Sequence, residues 1–92
     1  MKIVENGYVK EFGIGGEEIT SVEIGSVEIS LECRFEGSDV YYIASVSVFD
    51  GKGTPICNDN NLINGEEFHG KEDAVSEVSA RYGISRDLIE IV

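Results

Sequence analysis

The sequence predicts an α+β fold: a mostly antiparallel β-sheet of about five strands with one α-helix packed on one face, in the order ββ(β)ββαβ. Three observations lead to this prediction. Apolar and polar residues alternate over residues 27–36, a helical periodicity covers residues 71–82, and Asn6-Gly7 separates two short apolar segments. The length of 92 residues fits a single domain, residues 1–92, that folds without a metal ion or a disulfide.

The first predicted element is a β-hairpin. Asn6-Gly7 is the strongest two-residue turn signal, and it lies between residues 3–5 and 8–10. Glycines at positions 13, 15 and 16 then interrupt the pattern. No lysine follows these glycines and no strand-to-helix context surrounds them, so we expect a loose connection and not a phosphate-binding loop.

The clearest element is a long strand. Between residues 27 and 36 the odd positions are apolar and the even positions are mostly charged, which predicts one buried and one solvated face. Val22 and Ile24 are also apolar but lie at even positions. This change of parity at Gly25-Ser26 predicts a bulge or a tight bend.

Residues 40–49 form a second predicted strand, antiparallel to the first after a short connection at residues 37–39. The predicted core pairs are Phe35–Val40, Cys33–Tyr42, Leu31–Ala44, Ile29–Val46 and Val27–Val48. Since every pair is apolar or aromatic, this register is favoured over a one-residue slip. On the outward face it places Glu32 opposite Ile43 and Arg34 opposite Tyr41.

The remaining elements are shorter. Residues 54–57 are predicted to form an edge strand, where Pro55 is tolerated, and the Asn-rich residues 58–65 are predicted to form a polar loop. A helix is predicted over residues 71–82, followed by a C-cap at Gly83 and a final strand at residues 88–92. The predicted buried face of this helix consists of Ala74, Val75, Val78 and Tyr82.

The unusual property of the composition is charge. Seven Lys and Arg residues against eighteen Asp and Glu residues give a net charge of −11. This balance argues against direct binding to nucleic acid or to an anionic membrane and favours a basic protein partner, although solubility alone also explains such a charge. With no apolar stretch long enough for a membrane span and no signal-peptide pattern, we expect a cytoplasmic protein in which Cys33 and Cys57 are reduced and unpaired.

Motifs for catalysis and metal binding are lacking in the sequence. The single nucleophile–base pair that can be written, Cys57 with His69, has no supporting spacing. Two thiols and one histidine are too few for a zinc site, and a calcium loop starting at Asp59 would have Ile63 and Asn64 at its fifth and sixth positions, where an oxygen ligand and a glycine are needed. We therefore expect no enzymatic activity, no cofactor and no metal site.

The outward face of the long hairpin is the predicted contact surface, because carboxylates surround aromatic and aliphatic side chains there. The candidate partner-binding residues are Glu28, Glu32, Arg34, Glu36, Tyr41 and Ile43. Glu28, Glu32 and Glu36 recur every fourth residue, about 13 Å apart on a strand. This spacing is compatible with imitation of a nucleic-acid backbone. The alternatives are a solvated face, or a face covered by the N-terminal hairpin or by a second subunit.

In size and charge the chain resembles the small anti-restriction and anti-CRISPR proteins of phages. The resemblance is one of class, without a shared motif, so it assigns no role to any residue. The leading hypothesis is a non-enzymatic inhibitor that occupies a basic nucleic-acid-binding surface of another protein. The alternatives are an immunity protein or antitoxin that neutralises a basic toxin, and a structural domain that forms homodimers through Tyr41, Ile43 and Phe49.

Overall fold

One α-helix and eight strands in two sheets make up the fold, and a computed structural model describes the whole chain, Met1–Val92. The predicted α+β class, with antiparallel strands and one helix against a sheet, is confirmed. The elements are β1 (Lys2–Glu5), β2 (Tyr8–Phe12), β3 (Glu18–Glu23), β4 (Ser26–Cys33), β5 (Val40–Phe49), β6 (Pro55–Asn58), β7 (Glu67–His69), α1 (Lys71–Tyr82) and β8 (Ile89–Ile91). Short 3-10 turns cover Asn60–Leu62 and Arg86–Leu88.

The first sheet is an antiparallel meander with the order β1-β2-β3. Its predicted hairpin is confirmed: Glu5 lies opposite Tyr8, and Asn6 and Gly7 have positive φ angles of 52° and 80°. A two-residue hairpin turn of this kind requires positive φ at both positions, which Asn and Gly tolerate best.

The parity change at Gly25-Ser26 marks the passage of the chain from the first sheet to the second. The Gly25 amide donates a hydrogen bond to the Phe49 carbonyl at 2.8 Å. A Cβ atom at position 25 would lie 2.2 Å from the carbonyl oxygen of Asp50, so only glycine allows this approach of two backbone segments. The structure has eight strands in the two sheets, against about five expected.

The second sheet has the order β6-β5-β4-β8, and β7 also pairs with β5. β8 runs parallel to β4, and the other pairings are antiparallel. At one end of the hairpin the predicted register is confirmed, with Val27 opposite Val48 and Ile29 opposite Val46.

A β-bulge changes the register at the other end of the hairpin. Ser30 lies opposite Ser45, but Leu31 lies opposite Ile43, so Ala44 is an extra residue in β5. The predicted core pairs of Leu31 with Ala44 and of Cys33 with Tyr42 are therefore wrong by one residue. The predicted outward pairs of Glu32 with Ile43 and of Arg34 with Tyr41 are wrong for the same reason, since Glu32 lies opposite Tyr42 and Tyr41 lies opposite Cys33. Because side chains alternate along a strand, the extra residue turns Ile43 from the outward face into the core, where it is 3% exposed.

The helix has the bounds and the buried face that its periodicity predicts. Its buried residues are Ala74, Val75, Val78 and Tyr82, and Gly83 caps it in the left-handed conformation, with φ 66° and ψ 40°. The first sheet joins the same core through Val9 and Ile24, and the Gly7 amide donates to the Tyr82 carbonyl at 2.6 Å. The helix and the first sheet thus contact each other and share one hydrophobic core.

The predicted polar loop at residues 58–65 contains a 3-10 turn, and a short strand, β7, follows it. Leu62 and Phe68 are buried and anchor a 3-10 turn and β7, respectively. β6 forms the predicted edge strand, and Cys57 within it lies opposite Val48. Both thiols are free, with Cys33 at the far end of β4. No helix in the fold has the length and apolar character that crossing a membrane would need.

Candidate functional site: an acidic sheet face

The candidate site is the face of the second sheet that points away from α1, here called the acidic face. Alternation fixes its membership, because Val27 and Ile29 of β4 and Val46 and Val48 of β5 point into the core. Its residues are Glu28, Ser30, Glu32 and Arg34 on or directly after β4, Tyr42, Ser45, Ser47 and Phe49 on β5, Glu67 on β7 and Glu90 on β8. Glu32, Ser45 and Glu90 are exposed, so the N-terminal hairpin does not cover this face.

Two carboxylates lie next to each other at one side of this face. Glu28 of β4 is the register partner of Glu90 of β8, and neighbouring strands are about 4.8 Å apart. Neither residue takes part in any of the four salt bridges of the protein. Like charges in adjacent positions on neighbouring strands destabilise a sheet, so we expect this pair to lower the stability of the free protein.

A hydrogen bond joins β4 to β5 further along the same face. The Tyr42 hydroxyl donates to Oε2 of Glu32 at 2.5 Å. This hydrogen bond and the desolvation of the ring raise the pKa of Tyr42 above its usual value of 10.0. The Tyr42 hydroxyl is a neutral donor at neutral pH, and its hydrogen bond links the ring to Glu32 across the strand pair.

Arg34 lies at this end of the acidic face, directly after β4. Its guanidinium lies 4.7 Å from the ring centroid of Tyr42, and its Nε lies 3.4 Å from Oε2 of Glu67. Nη2 also donates to the Gly65 carbonyl at 3.2 Å. Arg34 therefore connects the end of β4 to Tyr42 of β5, to Glu67 of β7 and to the segment before β7. Its positive charge is paired with the Glu67 carboxylate. The glutamates at positions 28, 32 and 90 remain without an ion pair.

Three of the predicted site residues lie elsewhere. Ile43 is buried, and Tyr41 lies on the core side with Phe68 as its register partner and the Lys71 ammonium 5.7 Å from its ring centroid. The bulge at Ala44 is the reason in both cases. Glu36 is exposed but follows the end of β4 at Cys33, so the predicted line of three carboxylates continues along the strand only through Glu28 and Glu32.

Sequence reasoning missed Tyr42, Glu67 and Glu90 as members of the face. The alternation Ile89-Glu90-Ile91 contains enough signal to turn Glu90 away from the core. The same alternation does not show which strand β8 pairs with. Its pairing with β4 is what places Glu90 beside Glu28. Tyr42 was assigned to the core because the bulge has no turn residue to mark it.

The structure separates the one nucleophile–base pair that the sequence offers. Cys57 is opposite Val48 and His69 is opposite Val40, so they lie beside opposite ends of β5, about 25 Å apart along the strand. Burial also raises the pKa of the Cys57 thiol, which disfavours the thiolate.

The side-chain oxygens of Asp50, Asp59 and Asn64 accept hydrogen bonds from backbone amides two residues ahead, as turn-forming residues do.

Comparison with protein-family models, curated proteins and solved structures found no match for this chain. The geometry itself defines a class. This is a small, strongly acidic α+β protein whose larger sheet has the helix on one side and an open acidic surface on the other.

Proposed function

We propose that the protein is a non-enzymatic binding module whose acidic face occupies a basic, nucleic-acid-binding surface of another protein. The observation that carries this proposal is the uncompensated pair of Glu28 and Glu90 on an uncovered sheet face. A lysine or arginine from a partner, placed between these carboxylates, would replace a repulsion by an attraction. Binding therefore gains from a feature that weakens the free protein.

The charge of the whole molecule supports the same partner class. A net charge of −11 attracts basic surfaces over distances comparable to the Debye length and accelerates their encounter. The basic surfaces best matched to a row of carboxylates are those that bind the phosphates of nucleic acids. Tyr42, held by Glu32 and Arg34, gives the face an aromatic side chain of the type that is enriched in interface cores.

The experiment compares three forms of the full chain. Immobilised native protein, a Glu28→Lys/Glu90→Lys variant and a Glu66→Lys/Asp73→Lys control are incubated with lysate of the source or host cell. The control makes the same change of net charge at two exposed residues outside the acidic face. Each captured protein is identified by mass spectrometry and then purified, and its binding to nucleic acid is measured with and without the acidic protein.

We expect the native and control forms to capture a protein that the face variant does not capture, and we expect the native form to displace nucleic acid from it. Equal capture by the face variant, or unchanged nucleic-acid binding by the captured protein, would contradict the proposal. A captured protein that is toxic when expressed alone would assign the module to the immunity and antitoxin alternative, which uses the same physical interaction.

The homodimer alternative has lost most of its contact residues. Of Tyr41, Ile43 and Phe49, only Phe49 lies on the outward side of the sheet. Sedimentation at several protein concentrations tests whether the chain forms homodimers.

Free thiols at Cys33 and Cys57 are compatible with the reducing cytoplasm, which is the location that we propose for the interaction.

A further inference from the structure

β3 is an edge strand at the outer side of the first sheet. It pairs with β2 only, and five of its six residues are exposed. Ile19 within it is 60% exposed. This region lies apart from the acidic face, which belongs to the second sheet.

The free edge of β3 presents unpaired backbone groups. The Ile24 amide, directly after the strand, donates to the Gly7 carbonyl of the neighbouring turn. In an antiparallel ladder the residues that point toward the neighbour alternate with those that point away. Since Ile24 points toward β2, the amide and carbonyl groups of Glu23 and Ser21 point outward.

The other sheet edges are short, contain proline or lie against another part of the chain. Natural proteins commonly prevent pairing of an edge strand with another chain in these ways. β6 begins with Pro55, and β8 has three residues. β1 lies beside the end of α1, across a cleft of about 190 Å³, and its Lys2 ammonium donates to the Ile56 carbonyl. β3 has six residues, with neither proline nor lysine among them.

The negative charges on and beside β3 indicate which kind of chain would pair with its free edge. Glu18 and Glu23 lie at the two ends of β3, and Glu17 precedes it. A second copy of this chain, with its own net charge of −11, would be repelled, whereas a basic strand would place opposite charges beside both ends. We propose that β3 binds an extended segment of a basic protein as a fourth strand of the first sheet, with lysine or arginine side chains beside Glu18 and Glu23.

The probe for this site is a short synthetic peptide of alternating lysine and valine. An alternating glutamate–valine peptide controls for charge, and a lysine–proline peptide carries the positive charge but cannot form a strand. Binding to the full chain is followed by nuclear magnetic resonance of the backbone amides. We expect the lysine–valine peptide to shift the amides of Ser21 and Glu23 most strongly and the two control peptides to bind at least tenfold more weakly.

Ser21→Pro removes one outward amide without removing a hydrogen bond between β2 and β3, and Ser21→Val keeps that amide. We expect the proline variant to lose at least tenfold in affinity and the valine variant to bind as the native protein does. A Glu18→Lys/Glu23→Lys variant, expected to prefer the glutamate–valine peptide, decides the matter if the proline variant is unfolded.

Several outcomes would overturn the proposal. These are equal binding of the lysine–proline peptide, unchanged affinity of a folded Ser21→Pro variant, the absence of binding at millimolar peptide, and shifts centred on Glu28 and Glu32. The last outcome would leave the function proposed for the acidic face standing, whereas failure of the capture experiment on that face would leave the β3 site standing.

Discussion

Glu28 on β4 and Glu90 on β8 are register partners in the one parallel strand pair of the fold, and no cation of the chain neutralises either carboxylate. Two like charges at adjacent positions are expected to lower the stability of the free protein, and replacing one of them measures that effect.

Glu90→Gln removes one of the two charges and should raise the free energy of unfolding by about 0.2–1 kcal/mol. The gain should shrink as added salt screens the repulsion. Urea denaturation at low and high salt measures both effects, with Glu66→Gln as a control for the loss of one negative charge away from the pair. A gain no larger than that of the control would show that the two carboxylates do not interact.

Ile43→Ala tests the bulge at Ala44. With Ile43 3% exposed, its truncation should lower the free energy of unfolding by about 2–4 kcal/mol. Ser45→Ala, at an exposed position of the same strand, should stay within about 0.5 kcal/mol of the native protein. If β5 had the uninterrupted register, Ile43 would be outward and the two variants would be equally stable in a denaturant titration.

Gly25→Ala should be among the most damaging single substitutions in the chain, lowering the free energy of unfolding by about 1–3 kcal/mol or more. The new methyl group would meet the backbone of Asp50 and Gly51, which cannot move without disrupting the end of β5. Gly51→Ala is the matched control, because nothing lies within 4 Å of a Cβ at that position. Thermal unfolding compares the two, and equal melting temperatures would contradict the close approach at Gly25.

Tyr82 should make stability sensitive to alkaline pH. The residue is 1% exposed, and its hydroxyl donates to Oδ2 of Asp59 at 2.7 Å. Burial and this hydrogen bond raise the pKa of Tyr82 well above its usual 10.0. The folded state therefore retains a proton that the unfolded state releases, so this contribution to stability is complete below pH 10 and declines as the pH rises above it.

Tyr82→Phe should cost about 1.5–3 kcal/mol at neutral pH and should weaken the decline above pH 10. Urea denaturation at neutral and alkaline pH measures both quantities. Tyr8→Phe is the control, because Tyr8 is 38% exposed and its hydroxyl lies 3.4 Å from Oε2 of Glu23. An alkaline decline of the same size in both variants would assign the effect to groups other than Tyr82.

Local patterns were sufficient for the elements whose signals lie within a few residues. The helix from Lys71 to Tyr82, its buried face and its Gly83 cap follow from a period of 3.6 residues and a glycine at the right place. The hairpin at Asn6-Gly7 follows from the positive φ angles that its turn requires. Alternation also placed Glu28, Glu32 and Arg34 on the outward face, since β4 is regular.

Tertiary structure decided what depends on which strands are neighbours and where one strand has an extra residue. The extra residue Ala44 allows both Ile43 and Val46 to point into the core, and no turn residue in the sequence marks its position. Glu90 meets Glu28 only because β8 returns parallel to β4 after the helix. The sequence by itself determined that this face is polar and acidic, and the order of the strands determined which of its carboxylates repel one another.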